Sequence, residues 1–308
     1  MHRRDSPLED RVTVDRGRAS FVLPAVCLFV LSVLAFPATS RAKSVPSPCR
    51  IYHPSDDRIE SECRRMKKGE TLESLFGGRW IDVARFNRID RRHTYPGMPI
   101  KVPKNLDDIR DFTPMPKEYE PERQEPKFIL VDLSEQFLGA YEYGNLVFSA
   151  PVATGGKDNP TPAGEFRITA IHSDHVSSLY YIEDTDKLYP MDYALRFFIN
   201  RDGVAFWIHG RDIPGYPASH GCIGLYDEEM QKKYYHFPKK PVLEDAKKLF
   251  EWVISPGKDE GKFQVIEDGP KVLITGKAPL PTRRQKNKSS IKKPAPLPIL
   301  PNPQSGKR

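Results

Sequence analysis

Cysteine is scarce in this chain of 308 residues, with 4 in all. Beyond Cys63 a single thiol remains, Cys222. A zinc site there would lack both a second thiolate and a fourth ligand at recognisable spacing, so no metal is expected. Acidic residues are missing altogether from Lys277 to Arg308, where nine Lys or Arg occur. The net charge of +7 therefore leaves −2 for residues 1–276. The pI of about 9.1 belongs to a tail, which argues against a basic nucleic-acid-binding domain. That tail, 277–308, is rich in Pro and Lys and reads as disordered.

What is present starts with a targeting signal. Arg3, Arg4, Arg11, Arg16 and Arg18 precede an uncharged run from Ser20 to Ser40. Small residues at Ala38, Ser40 and Ala42 suit a signal peptidase. Residues 1–42 are expected to be a signal peptide, or an uncleaved anchor of about the ~20 residues a span needs, shortened by Pro24 and Pro37. The chain is thus expected to be exported, to periplasm or cell wall, touching membrane only if the segment stays attached. Val26 makes Cys27 a poor lipidation site. Cys49 and Cys63 lie close together in a compartment where disulfides persist, either as a staple or as two unpaired thiols. Cys222 is then a leftover thiol in an exported protein, which calls for a reason.

Residues 43–63 read as polar and irregular. From 64 to 103 the signals mix: Thr71 and Asp82 as helix caps, Leu72, Leu75 and Phe76 followed by Trp80, Val83, Ala84 and Phe86 at helical spacing. A Pro96-Gly97 turn and a short strand at Ile100-Lys101-Val102 complete the segment. It resembles a LysM domain at Gly69-Glu70-Thr71-Leu72, at Ile81 through Asn87 and at Pro96 through Pro103, with Arg64 departing from the usual apolar first strand. The resemblance implies a small α+β module, two strands with two helices, that binds glycan strands or serves as a spacer. Residues 104–126, with Pro114, Pro116, Pro121 and Pro126 among charges, predict an extended linker.

From 127 to 276 the pattern is mainly β. Strands are expected near 128–131, 137–141, 146–148, 165–170, 195–199 and 204–208, and again near 263–266 and 272–274. Helices are expected at 227–235, where Asp227, Glu228 and Glu229 suit an N-terminus, and at 243–253.

The chemistry concentrates in Trp207-Ile208-His209-Gly210 and, one short loop later, Ser219-His220-Gly221-Cys222-Ile223. A thiol attacks a carbonyl as its thiolate, and a nearby imidazole accepts the proton and later returns it to a leaving amine. Gly221 permits close backbone approach, and amides around Gly221 and Cys222 are candidate oxyanion donors. A buried structural cysteine is the alternative, but the Pro-containing loop before Cys222 weakens it. His172 and His175 read as solvated loop residues, and Tyr180, Tyr181 and Tyr189 as core aromatics.

His209-Gly210 with Ser219-His220-Gly221-Cys222-Ile223 resembles the signature of the YkuD-type L,D-transpeptidases. Pro151 through Gly156, Thr161 through Phe166, and Pro190-Met191 agree in order. The resemblance implies a β-sandwich-like catalytic domain acting on peptidoglycan stem peptides without metal or organic cofactor. Cys222 would be the nucleophile, His209 the base, His220 and Gly221 orienting or oxyanion groups, and Ser219 a local structural partner. Thr154, Gly155, Arg211 and Gly224 are assigned to substrate binding. Two departures stand out: Gly224 occupies a position usually Arg or Asn, with Arg211 or Arg196 as substitutes for that charge, and the His209–Ser219 loop is short. Transfer to a stem or protein amine, hydrolysis by water, and a catalytically idle wall-binding protein remain as readings.

Overall fold

Phe128-Ile129-Leu130-Val131 is apolar at every position because strand β3 (Phe128–Asp132) is buried on both faces. Ile129 and Val131 join a central core, whereas Phe128 and Leu130 face the other way into a second cluster. Strand β4 (Phe137–Glu142) repeats this, with Leu138 and Ala140 on one side and Phe137 and Tyr141 on the other. A sheet with two apolar faces needs two covers.

The computed structural model describes residues 46–182 and 185–281. The leader expected at 1–42 and the tail beyond Pro281 lie outside the described residues. Among those described, no helix is long and apolar enough to cross a membrane.

The central core lies between two five-stranded sheets. The first runs β5-β4-β3-β14-β6, with β5 at Asn145–Pro151, β6 at Gly164–Arg167 and β14 at Lys271–Thr275. Here β14 pairs in parallel with β3, Ile274 opposite Val131, so the two ends of the mainly β region close on each other. The second sheet runs β12-β11-β10-β7-β13. Its strands are β7 (Ala170–His172), β10 (Ala194–Ile199), β11 (Ala205–Arg211), β12 (Ile223–Tyr226) and β13 (Gln264–Val265). The single strand expected over 165–170 is two, because the chain leaves the first sheet after Arg167 and enters the second at Ala170. Helix α4 (Asp245–Ile254) turns Ala246, Leu249, Phe250 and Val253 into the same core. Asp227 caps α3 (Glu228–Tyr235) by accepting from the Met230 amide at 2.8 Å. A separate hairpin, β8 (Val176–Tyr181) with β9 (Leu188–Pro190), completes the domain.

The second face of β3 and β4 is covered by the stretch 104–126, expected as an extended spacer. Met115 is buried there, Tyr119 stacks on Phe128 at 5.2 Å, and Phe112 meets Phe137 edge-on at 5.8 Å. The Tyr141 hydroxyl donates to the Pro116 carbonyl at 3.0 Å. Each large side chain removed from water this way contributes about 1.5–3 kcal/mol. The prolines hold the segment irregular, and its aromatics hold it down.

The N-terminal segment folds as β1 (Ser61–Arg65), α1 (Leu72–Phe76), α2 (Trp80–Asn87) and β2 (Pro99–Pro103), the strands antiparallel. Thr71 caps α1 in a reciprocal box with Ser74. Asp82 does not cap; it sits inside α2 and accepts from Arg79 Nε at 2.6 Å. Strand β1 starts at Ser61, inside the segment expected to be irregular, and the Cys49–Cys63 disulfide ties its centre to the preceding turn. The bond closes a separation of 14 residues, a loop length for which chain entropy gives about 3 kcal/mol. Replacing both cysteines with serine is expected to lower the urea unfolding free energy by up to that amount. An unchanged midpoint would show that other contacts alone fix the segment.

This segment is docked onto the mainly β region by polar groups of both. Arg88, ending α2, is fully buried and donates to the Glu135 carboxylate at 3.0 Å and to Ser55 Oγ at 2.9 Å. Arg85 grips Asp245 with both contacts at 2.7 Å. The Tyr226 hydroxyl donates to the Ile89 carbonyl at 2.9 Å. Asp90 and Ile213 exchange two bonds, amide to carbonyl and amide to carboxylate, each 2.7 Å.

Candidate active site

Strands β11 and β12 run in parallel, with Ile208 opposite Ile223 and His209 opposite Gly224. Side chains alternate between faces. Ile208, Ile223 and Leu225 enter the core, so His209 and Gly224 share the outer face. Cys222 immediately precedes β12, two positions along from the His209–Gly224 pair, and lines the same cleft as His209. It lies level with Trp207, whose backbone hydrogen-bonds to the thiol. The strand expected to end at Ile208 in fact extends to Arg211 and carries His209 within it.

His209 is 3 % exposed, and burial, reinforced by the Arg211 charge, pulls its pKa to about 3. The imidazole is therefore neutral near pH 7. Its Nδ1 lies 2.8 Å from the Gly210 carbonyl, an acceptor only, so Nδ1 carries the proton and Nε2 keeps a free lone pair. Burial pushes the Cys222 thiol above its ordinary 9.0, against the Trp207 hydrogen bond and the Arg211 charge. The resting pair is thus thiol and neutral imidazole. Alkylation of Cys222 by iodoacetamide is expected to keep accelerating beyond pH 9, the unshifted value. A rate plateau between about pH 6 and 8 would instead reveal a standing thiolate–imidazolium pair.

The loop that carries Cys222 is fixed from beneath. Ser219 Oγ donates to the Cys222 carbonyl at 2.5 Å and accepts from the Gly221 amide at 3.0 Å. Gly221 has φ +113°, and a Cβ there would stand 2.3 Å from the Phe206 ring, so only glycine fits. The Gly221 amide is consequently engaged by Ser219, not directed at a substrate. Thr154 and Gly155, assigned to substrate from sequence, belong to this support. Thr154 is fully buried, its carbonyl accepts from the Ala218 and Ser219 amides at 3.0 Å each, and Gln136 clamps its hydroxyl at 2.7 Å. The Gly155 amide donates to Thr161 Oγ1 at 2.8 Å, and that hydroxyl donates to the Gly221 carbonyl at 2.9 Å. The Thr161 role was not assigned from sequence, although its Thr-Pro motif was.

Above the pair lies a cleft of about 410 Å³ lined by Cys222, His209, Ser219, His220 and Arg211. Tyr180 of β8 stacks on His220 with centroids 4.3 Å apart and planes at 22°. Tyr180 and Tyr181 are exposed cleft residues, not core as expected; Tyr189 is half-buried, packing on the Met191 and Trp207 cluster while also lining the cleft. They ride on a two-stranded hairpin, which has no inner layer to bury them. His172 ends β7, and His175 packs on Trp207 at 4.3 Å. Burial and the neighbouring His172 lower the His175 pKa to about 4, so neither is a solvated loop residue. Arg196 lies over Trp207 and Phe263, at 5.9 and 5.6 Å, and does not line the cleft; of the two candidate charges, Arg211 is the one that does.

The opposite wall comes from the N-terminal segment. Arg92 and His93 line the cleft, and Arg92 holds Asp212 with contacts of 3.0 and 2.5 Å. Asp212 and Ile213 begin the short loop after His209, so the docked segment sets that loop's position. Asp90, His93 and Asp212 bring oxygen and nitrogen atoms within 4.8 Å of one another. N–H donors of Arg92, Gln231 and Ile213 already point at those oxygens, which opposes a cation. A larger groove of about 840 Å³, lined by Lys127, Arg167 and Ser255, carries no thiol or imidazole.

Residues 126–274 match the YkuD family model, the L,D-transpeptidase catalytic domain. No curated protein matches the chain. Similar solved structures include the Ldtfm–avibactam carbamoyl enzyme, 24 % identical over 49 % of each chain, with a TM-score of 0.31. The L,D-transpeptidase of Enterococcus faecium is 23 % identical over 49 % of this chain and 50 % of its own, TM-score 0.31. L,D-transpeptidase 1 of Mycobacterium tuberculosis is 17 % identical over 49 % of this chain and 62 % of its own, TM-score 0.32. The chain spans about half the length of the first of these.

Proposed function

We propose that the protein is an exported cysteine L,D-transpeptidase acting on tetrapeptide stems of peptidoglycan. The observation that carries this is the cleft shared by Cys222 and a neutral His209 whose Nε2 is free to accept. The family match over 126–274 supplies the substrate class. His209 takes the Cys222 proton as Sγ attacks the carbonyl of the third stem residue. The Cys222 amide and His220 are assigned to the developing oxyanion. His209 then returns the proton to the departing D-alanine nitrogen, the C–N bond breaks, and a thioester remains. An acceptor amine attacks this thioester, loses its proton to His209, and the sulfur leaves to be reprotonated. No step requires a cofactor.

A stem amine as acceptor gives a cross-link between third residues, a protein amine gives anchoring, and water gives a carboxypeptidase. Product analysis by mass spectrometry with stem tetrapeptide separates them. Transfer to a second stem is expected, seen as D-alanine release with a dimer. Free tripeptide alone would mark a hydrolase, and no D-alanine release would leave only a wall-binding protein. The export reading draws support from the Cys49–Cys63 disulfide. The LysM-like segment is proposed to bind glycan while docked; retention of the Cys222→Ala protein on purified peptidoglycan tests this.

A further inference from the structure

Arg211 is the last residue of β11, two positions after His209 and therefore on the same face. Its side chain does not continue outward. It folds back across Gly224: a Cβ placed on Gly224 would lie 1.9 Å from both Cγ and Cδ of Arg211 and 3.1 Å from Nε. Since Gly224 is the cross-strand partner of His209, the missing side chain is what lets the arginine lie beside the imidazole. Nε donates to the Asp212 carbonyl at 3.1 Å, which fixes the plane of the guanidinium. Among the described residues Nε is the guanidinium nitrogen that is engaged, and the residue lines the cleft with Cys222 and His209. Arg92, the other cleft arginine, is by contrast committed to Asp212.

We propose that Arg211 reads the free carboxylate of the departing terminal residue of the donor stem, through a channel opened by Gly224. This rests on the acyl-transfer reading above. The nitrogen that receives the proton from His209 is one Cα away from that carboxylate, so wherever the leaving amine meets the imidazole, its carboxylate falls within a few ångströms of it. The cation on that side is Arg211. A guanidinium presents parallel N–H donors that match a carboxylate. Its reach to the reacting pair is independently reflected in its depression of both the His209 and Cys222 pKa values. A donor whose fourth residue is amidated, or extended by a fifth residue, offers a neutral amide at this point and forfeits the contact. The arrangement therefore selects tetrapeptide donors.

The test uses full-length protein carrying Cys222→Ala, so that binding is read without turnover. Calorimetric affinities are compared for the stem tetrapeptide and its C-terminal carboxamide. A charge-assisted contact predicts roughly 10- to 100-fold preference for the acid, falling to about parity in Arg211→Ala. Gly224→Ala displaces the arginine and is expected to abolish the preference too, yet to add nothing in the Arg211→Ala background. A preference that survives Arg211→Ala, an equal loss for acid and amide, or no binding of the acid overturns the assignment. Thioester formation on Cys222 of the otherwise native protein is followed in parallel. A thioester without acid preference removes only the Arg211 role; an acid preference without a thioester removes only the acyl-transfer reading.

Discussion

Replacing His209 with glutamine or alanine is expected to slow acylation of Cys222 by about 10²–10⁴-fold while the affinity for stem peptide stays near that of the native protein. The reason lies in the resting protonation state. Burial keeps the thiol above its ordinary 9.0, so without a base the reactive thiolate is a minute fraction at neutral pH. The imidazole proposed as the base is held in one tautomer by the Gly210 carbonyl and on one face by pairing of β11 with β12. Glutamine keeps most of the buried volume but cannot accept and return a proton. Stopped-flow detection of D-alanine release measures the effect. A loss below about tenfold would mean that solvent, or His220, serves as the base.

The second large effect is on stability. Arg88→Ala is expected to cost about 3–5 kcal/mol, because it leaves the Glu135 carboxylate buried without its cation. The arginine also spans Ser55, the Glu135 carbonyl and the faces of Phe112 and Phe137, at 5.3 and 5.1 Å. It thus joins the N-terminal segment, the 104–126 cover and the sheet in one place. Replacing both partners, as Arg88→Met with Glu135→Leu, should recover most of the loss. Urea denaturation reads both. A penalty under about 1 kcal/mol for the single variant would show that docking does not depend on this pair. Because Asp90 and Arg92 hold Ile213 and Asp212, undocking is also expected to displace the loop that follows His209.

The residues that gather at the cleft were legible in the sequence, and long-range placement was not. His209, Ser219, Gly221 and Cys222 sit in contiguous motifs, and the structure places them around one cleft and its supporting loop. Strand periodicity located most of both sheets. Three features escaped because each depends on a partner far along the chain. The prolines of 104–126 mimic a spacer, yet Phe112, Met115 and Tyr119 cover a sheet face whose existence depends on β3 pairing with β14. Thr154 and Gly155 stand next to the Cys222 loop in space but under it, a distinction that sequence order does not encode. Gly224 read as a lost side chain, whereas in space it is the opening through which Arg211 returns. That substitution crosses two strands and is visible only once His209 and Gly224 are known to be opposite.

The central claim is that Cys222 forms a thioester with the third residue of a stem, and peptide mapping of the trapped protein tests it most directly. Incubation with stem tetrapeptide and acid quenching is predicted to yield a peptide containing Cys222 heavier by one tripeptide acyl group, absent in Cys222→Ala. The adduct should be cleared by hydroxylamine. An unmodified Cys222 together with D-alanine release, or release that persists in Cys222→Ala, would contradict the account.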